Sequence, residues 1–527
     1  MPSTQTDNLF RLIKTLSKSE KRSFKLYANR VGGQDKAIFI RLFDVLDKLK
    51  KYDEEAIFQK IPDIKRSQLS NQKRHLYKQL LISLRLVHIS RNIDIEIREQ
   101  IDFARILYGK GLYHQSLKIL DRVKTIAKDA HQDILHLEIV EFEKLIESRH
   151  ITRSLENRAI ELTEEAERRT EIIANVGRLS NLALKLYGMY VQIGHIRDQK
   201  DSFVVREFFK SQMSDIRQDN LTFFENIYLS QAYVWYYYIL QNFPLHYRYA
   251  QKWVDLFEAF PEMKLKDPDL YMRGVHNLLN AIFYTSYYEK FEPTIRQLET
   301  FVEENGDRFS PNSEVLAFQY IYTARINKYF TEGNFTEGLS IIPGLLKGLK
   351  KYDEYLDVHR ILIFYYKIAS MYFSSGDSST AIDYLNKIIN YKAGNLREDI
   401  QCYARILSLI AHYEMGHYNL LEYLVKSVYR FLGKMRELNV VQAEILRFLK
   451  RELYSDPQRL QKAFIQLKNK LEPYESHPYE RRSFLYLDII SWLESKIENR
   501  PVQEVIQEKF RARRRRQNPV QNAEKKG

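Results

Sequence analysis

Glycine, proline and cysteine are all scarce. Glycine and proline number 18 and 13 in 527 residues, each about half of its usual ~7% and ~5% share. A β-sandwich or barrel needs a turn every ~8–12 residues, drawn largely from glycine, proline and asparagine. An all-β chain is therefore excluded, and collagen-like and low-complexity classes with it. Cys402 is the single cysteine, which rules out an internal disulfide or a cysteine-based zinc site and fits a reducing compartment. No run approaches ~18 uninterrupted apolar residues, so no membrane-spanning helix is expected. The opening MPSTQTDNLFRLIKTLSKSEKR has no apolar core of signal-peptide length. These absences predict a cytoplasmic protein.

What is abundant is apolar and aromatic. Hydrophobic residues make up 44% of the chain and aromatics 13%, with 37 tyrosines; such a chain can bury a large core and is not disordered as a whole. Charge is unevenly placed. Of the net +14, residues 1–95 carry +10 and residues 509–527 carry +7, leaving −3 for 96–508. Two basic ends flank a nearly neutral middle, so attraction to an anionic partner would come from the ends.

Up to about residue 92 the spacing predicts four or five short helices. Ser17-Lys18-Ser19-Glu20 is a capping-box pattern opening a helix to about Arg30, ended by Gly32-Gly33. A second helix spans about Lys36–Lys51, Asp53 caps a short one ending near Ile61-Pro62, and a longer one runs from about Arg66 to His88. Residues 1–95 thus read as a small basic helical domain.

From about residue 96 a periodic frame takes over. Ala104, Leu107, Gly111, Tyr113, Ser116, Leu120 and Val123 match Ala369, Tyr372, Gly376, Ser378, Ala381, Leu385 and Ile388 at identical spacing. Ile326, Tyr329, Gly333, Phe335, Gly338 and Ile342 share it, as do Leu409, His412, Gly416, Tyr418, Leu421 and Val425. Each set describes a helical hairpin: the glycine permits the tight turn, and small residues let the two helices approach. Weaker units put turns near 154, 194, 243, 289 and 458. The steps are about 40–49 residues.

This frame resembles the tetratricopeptide-repeat (TPR) pattern, whose usual step is shorter. The resemblance covers about 96–475 and implies an all-α, right-handed helix-hairpin solenoid of about nine repeats. Residues 476–508 are expected to form capping helices, with 479–499 helical and covering the last repeat. A basic disordered tail is expected at 509–527.

Catalytic patterns are absent: there is no HExxH, no glycine-rich phosphate loop and no GxSxG. Cys402 falls inside a predicted helix as a small buried hydrophobe. The pairs His131/His136 and His412/His417 are five apart, about 140° around a helix, which does not suit one metal. Glu164-Glu165 is expected on a solvated face. No enzyme activity, cofactor or metal is expected.

Three binding surfaces are candidates. Carried over from the TPR resemblance, the first helix of each hairpin lines an inner face, here His276, Phe283, Tyr287, Tyr320, Asn327, Phe330, Tyr366, Ser370, Phe373, Tyr403 and Tyr413. These aromatics either line a groove for a protein or peptide or pack between repeats. The family's Lys/Asn clamp for peptide carboxyl ends is not reproduced, since Thr323 with Asn327 and Tyr366 with Ser370 stand there. The second surface is the Arg66–His88 helix, where Arg66, Lys73, Arg74, Lys78 and Arg85 lie beside an apolar stripe of Leu69, Leu76, Leu80, Leu84 and Val87. Ser67, Gln68, Asn71, Gln72 and Arg74 occupy its first turns, as base-reading side chains do on a recognition helix. A solvated face, a nucleic-acid surface and an acidic-protein surface all fit. The third is the tail run Arg511, Arg513, Arg514, Arg515 and Arg516, which suits phosphate on nucleic acid or a ribosome, or is solubilising charge. The expected function is a non-enzymatic adaptor whose solenoid binds a protein or peptide and whose basic ends favour a nucleic-acid or ribonucleoprotein assembly. The alternative is a transcription regulator with a DNA-binding N-terminal domain and a peptide-sensing solenoid.

Overall fold

A computed structural model describes residues 8–31, 36–89, 92–150, 157–391, 398–435, 439–452 and 457–517. Among them there is no β-strand, and the fold is all-α. The chain divides into two compact units, Met1–Ile173 and Ala174–Gly527.

The first unit opens with α1 (Asn8–Thr15), α2 (Lys18–Val31), α3 (Lys36–Lys48), α4 (Glu54–Lys60) and α5 (Arg66–His88). The Ser17 capping box forms as its pattern predicts: the Ser17 amide donates to Glu20 Oε2 at 2.7 Å and the Glu20 amide to Ser17 Oγ at 3.2 Å. Asp53 caps α4 through the amides of Glu55 and Ala56. Gly32-Gly33 lies outside the described residues. Phe24, Leu42, Phe43, Leu46, Ile57, Ile61, Leu76 and Leu80 form one buried core. Next come α6 (Ile93–Gly109), α7 (Tyr113–Asp129), α8 (Asp133–Arg149) and α9 (Arg158–Ile193). The division between units falls inside the 36-residue α9, and the turn expected near Ser154 lies outside the described residues.

In the second unit follow α10 (Gln199–Met213), α11 (Phe223–Ile239), α12 (Phe243–Ala259), α13 (Met263–Lys266), α14 (Pro268–Thr285), α15 (Tyr288–Asn305), α16 (Pro311–Glu332) and α17 (Phe335–Gly338). The rest are α18 (Ile342–Lys351), α19 (Val358–Ser374), α20 (Ser378–Ile389), α21 (Glu398–Glu414), α22 (Tyr418–Met435), α23 (Val440–Arg451), α24 (Pro457–Leu471), α25 (Ile489–Ile497) and α26 (Val502–Gln517). Helices adjacent in the chain pack as pairs, as in α11 with α12 and α19 with α20, and α12 with α14 and α20 with α21 continue the packing.

The turns explain the pairing. Gly111, Gly194, Gly333, Gly376 and Gly416 all have positive φ, between 66° and 97°, a conformation that costs a side-chain-bearing residue energy. After four of them the next amide reaches back five residues, as Leu112 does to the Leu107 carbonyl and Asp377 to that of Tyr372, which satisfies an end-of-helix acceptor. The small residues of the frame sit at the crossings: Ala104, Ser116, Ala369 and Ala381 are fully buried. Ser116 Oγ donates to the Ala104 carbonyl at 2.8 Å across the pair. Two turns expected near 243 and 289 instead pivot on Gln241 and Ser286, with φ of 56° and 61°. At the first, His246 stands where the frame has a small residue, and its Nδ1–H donates to the Val234 carbonyl at 3.0 Å.

The C-terminal part departs from expectation. Residues 479–499 do not form one helix: a 3₁₀ stretch at Glu480–Leu485 precedes α25, whose start Asp488 caps through the Ser491 amide. The arginine run is helical in α26 through Gln517, not disordered, and 518–527 lies outside the described residues. Arginine is a good helix former and favourable near a helix C-terminus, and the helix has a dock. Gln503 accepts from the Thr336 amide, Gln507 donates to the Gly333 carbonyl, and Phe510 meets Tyr288 edge-on at 4.9 Å. A Cβ on Gly333 would lie 2.8 Å from the Gln507 amide nitrogen. No described helix is long and apolar enough to cross a membrane.

Candidate functional site

The residues assigned to the inner face fall into separate groups. Tyr366, Phe373, Tyr403 and Tyr413 are buried, and three of them are covered by the chain's own C-terminal part. A connection spanning 472–488, between α24 and α25, runs across them as a strap. Tyr366 Oη donates to the Tyr486 carbonyl at 3.0 Å. The Tyr403 ring stacks on Tyr486 with centroids 4.5 Å apart and planes 8° from parallel, and its hydroxyl donates to Ser483 Oγ at 3.0 Å. Tyr486 Oη in turn donates to Asp399 at 2.6 Å. At the far end Arg481 donates to the main-chain carbonyl and side-chain oxygen of Gln241, with its guanidinium 5.4 Å from the Phe243 ring centroid. Tyr413 meets Trp492 of α25, Phe448 and Phe464. Burial pushes the Tyr366 and Tyr413 hydroxyls above the usual phenol range. Phe373 belongs to the surrounding apolar core, and Ser370 turns its hydroxyl back to the Tyr366 carbonyl within α19.

A second group lies across α14, α16 and α19. His276 stacks on Tyr320 at 4.2 Å, and its Nε2 accepts from Asn280 Nδ2 at 3.1 Å. The buried Asn327 accepts from Lys367 Nζ, which also lies 5.6 Å from the Phe330 ring centroid. Burial lowers Lys367 to about 8. His276 is pushed well down, by burial first and then by the charges of Arg360, Lys367 and Arg273. The face is therefore cationic and makes no ion pair through Lys367. Lys367 is the residue that the sequence comparison missed: it adjoins Tyr366, and only α16 packed beside α19 brings it to Asn327. Phe283 and Tyr287 stand apart, the first against the core around Trp253 and the second exposed beside Tyr247.

Of the basic residues on α5, three are neutralised. Arg66 pairs with Glu55 at 2.6 Å, Lys73 with Glu54 at 3.6 Å and Arg85 with Asp102 at 3.3 Å. Arg74 and Lys78 are exposed and make no ion pair among the described residues, and Ser67, Gln68, Ser70 and Asn71 beside them are exposed too. On α26, Arg511, Arg514 and Arg515 are exposed, and Arg513 donates to Tyr288 Oη at 3.4 Å. The side chain of Arg516 lies outside the described residues.

Two sequence expectations are corrected. His412 and His417 are not splayed around a helix: Gly416 breaks it, and the two Nδ1 atoms are 3.0 Å apart, although no group of three or more metal-ligating side chains forms among the described residues. Glu165 does not face solvent but takes Nε2 of the buried His136 at 2.6 Å, a hydrogen bond that, with Lys124, lowers its carboxyl to about 2. Cys402 is buried in α21. No protein-family model, curated protein or solved structure matches the chain.

Proposed function

We propose that this chain is a non-enzymatic scaffold, a right-handed TPR-like helix-hairpin solenoid that binds a protein or peptide partner along its inner face. The observation that carries the reading is the strap. Side chains on the inner helices hold a non-α stretch of chain by ring stacking and by a hydroxyl bond to a main-chain carbonyl, the means by which a helical groove holds a peptide. The part-buried His276 and Lys367, beside the buried Asn327, add a cationic section suited to an acidic side chain or a carboxyl end. The unpaired Arg511, Arg514 and Arg515 favour an anionic assembly, as phosphate contacts do.

The test is recovery of partners from the native cell by the full-length protein and by its Lys367→Ala and Tyr320→Ala variants. Loss of the same partner from both variants, with it retained by Lys200→Ala on α10, supports the groove; an unchanged set from all three sinks it. A second reading, regulation through duplex DNA, is favoured by the exposed polar first turns of α5. It predicts that Arg74→Ala and Lys78→Ala each lower the salt dependence of duplex binding by about one ion; no shift between ~50 and 200 mM salt ends it.

A further inference from the structure

We infer that Tyr479–Leu487 is a displaceable occupant of a peptide site, and that the partner for this site is a peptide that takes up the same 3₁₀ turn, with arginine, serine two residues on and tyrosine three beyond that. The inference rests on the scaffold reading and names its ligand.

The strap is fixed firmly at both ends and more lightly between them, where Phe484, Tyr486 and Leu487 lie part-buried against the core. Leu471 before it and Ile489, Ile490, Trp492 and Leu493 after it are buried to 2% exposure or less. Within the strap only Ser483 is buried; Phe484, Leu485, Tyr486 and Leu487 are half-exposed. Its own backbone bonds are long, 3.2–3.4 Å from Arg481, Arg482, Tyr486 and Leu487. A connection with few buried apolar groups and weak internal bonds opens at low cost, and here it can lift while α24 and α25 stay packed.

What holds it is a set of three recognitions separated by fixed steps. Arg481 caps the left-handed turn at Gln241, taking a carbonyl that the helix end leaves without a partner. Ser483 accepts from the Tyr403 hydroxyl. Tyr486 lays its ring on Tyr403, gives its carbonyl to Tyr366 and its hydroxyl to Asp399. These receptor groups come from α11–α12, α19 and α21, which are 80 to 240 residues from the strap in the chain. Net hydrogen bonds of this kind contribute ~1 kcal/mol each, so the strap's advantage over a free peptide is chiefly its tether. A tethered segment acts at an effective concentration in the millimolar range, and a partner of the same pattern competes against that.

The experiment is fluorescence anisotropy of a labelled peptide, PYERRSFLYLD, with the full-length protein and with its Arg481→Ala/Tyr486→Ala variant. The variant should bind the peptide at least ~10-fold more tightly than wild type, because its own strap no longer competes. Adding Tyr403→Ala should abolish that binding. Equal binding by wild type and variant, or binding that survives Tyr403→Ala, overturns the proposal. Should the variant fail to fold, hydrogen exchange on the wild type decides: amides of 479–487 should exchange at least ~100-fold faster than those of α25, and equal protection overturns it. Strap failure alongside continued partner loss from Lys367→Ala would leave the scaffold reading standing, so the two fail separately.

Discussion

Two parts of the interior, the charge cluster around Glu143 in the first unit and the tyrosines of α19 and α21 in the second, hold their polar groups differently, although buried carboxylates such as Glu225 with Arg217 occur in the second unit too. In the first unit buried charge answers buried charge. Glu143, with no exposed surface, takes Lys124 at 2.6 Å and Arg158 at 3.5 Å, Arg169 pairs with Asp133 at 2.6 Å, and His136 with Glu165. In the second unit the hydroxyls of Tyr366 and Tyr403 are answered by a strap, and Lys367 faces Asn327 and makes no ion pair among the described residues. The first arrangement is closed: its cations and carboxylates answer one another, Lys124 taking both Glu143 and Glu165. The second meets a segment of the chain's own, which we propose can be exchanged for a partner. Interior charge in the one serves the fold, and interior tyrosine in the other is proposed to serve binding.

The sharpest way to break that contrast is to compare two single substitutions by chemical unfolding of the full-length protein. Glu143→Ala removes the shortest partner of Lys124 and leaves it Glu165 at 3.5 Å, while Arg158 keeps Glu161 at 3.5 Å; it should cost ~3 kcal/mol, the low end for breaking a buried pair because both cations keep another carboxylate and some solvent. Tyr403→Phe removes one hydroxyl facing the strap and should cost ~1 kcal/mol. Equal losses would mean that the strap is as integral as the charges.

The pH dependence sharpens the same point. Burial, opposed by Lys124, raises Glu143 to about 7 from an ordinary 4.5. The folded state then holds a proton that the unfolded state has released, so stability falls as pH rises from 4.5 to 7, with a slope approaching ~1.4 kcal/mol per pH unit. Glu165, lowered to about 2 by His136, works the other way and loses its contribution as pH falls from 4.5 to 2. Melting temperatures of wild type and Glu143→Gln between pH 5 and 7 should converge toward pH-independence in the variant; a persisting slope would assign it elsewhere. The smallest effect is expected in the second unit. Burial lowers Lys367 to about 8, so its charge costs stability below pH 8 and ceases to do so above its ordinary 10.5. Lys367→Met should stabilise the protein by ~1 kcal/mol at pH 7 and by nothing near pH 11; destabilisation at pH 7 would reveal an unseen anionic partner.

Much of the local structure was legible in the chain. The Ser17 capping box, the Asp53 cap, the limits of α5 and the left-handed glycines were all read from residue type and spacing, because each depends on neighbours a few positions away. The turns near 243 and 289 were expected, but their pivots, Gln241 and Ser286, escaped because neither residue favours the conformation it adopts. Gln241 is held there by the Ile196 carbonyl and Arg481, both remote. Residues 479–499 have the apolar spacing of a helix, but Asp488 starts a new one and the stretch before it is claimed by tyrosines elsewhere. The histidine pair at 412 and 417 was misjudged because helical angles do not survive the turn at Gly416.

By itself, then, the sequence determined an all-α chain and the positions of several of its hairpins: glycine at the turn position of the frame, as at Gly111, Gly333, Gly376 and Gly416, takes the left-handed conformation that ends a helix. Only the tertiary structure decided what fills the inner face and which charges remain unpaired there. Those outcomes depend on contacts between residues 40 to 240 apart in the chain, and such pairs leave no pattern in the local order of residues.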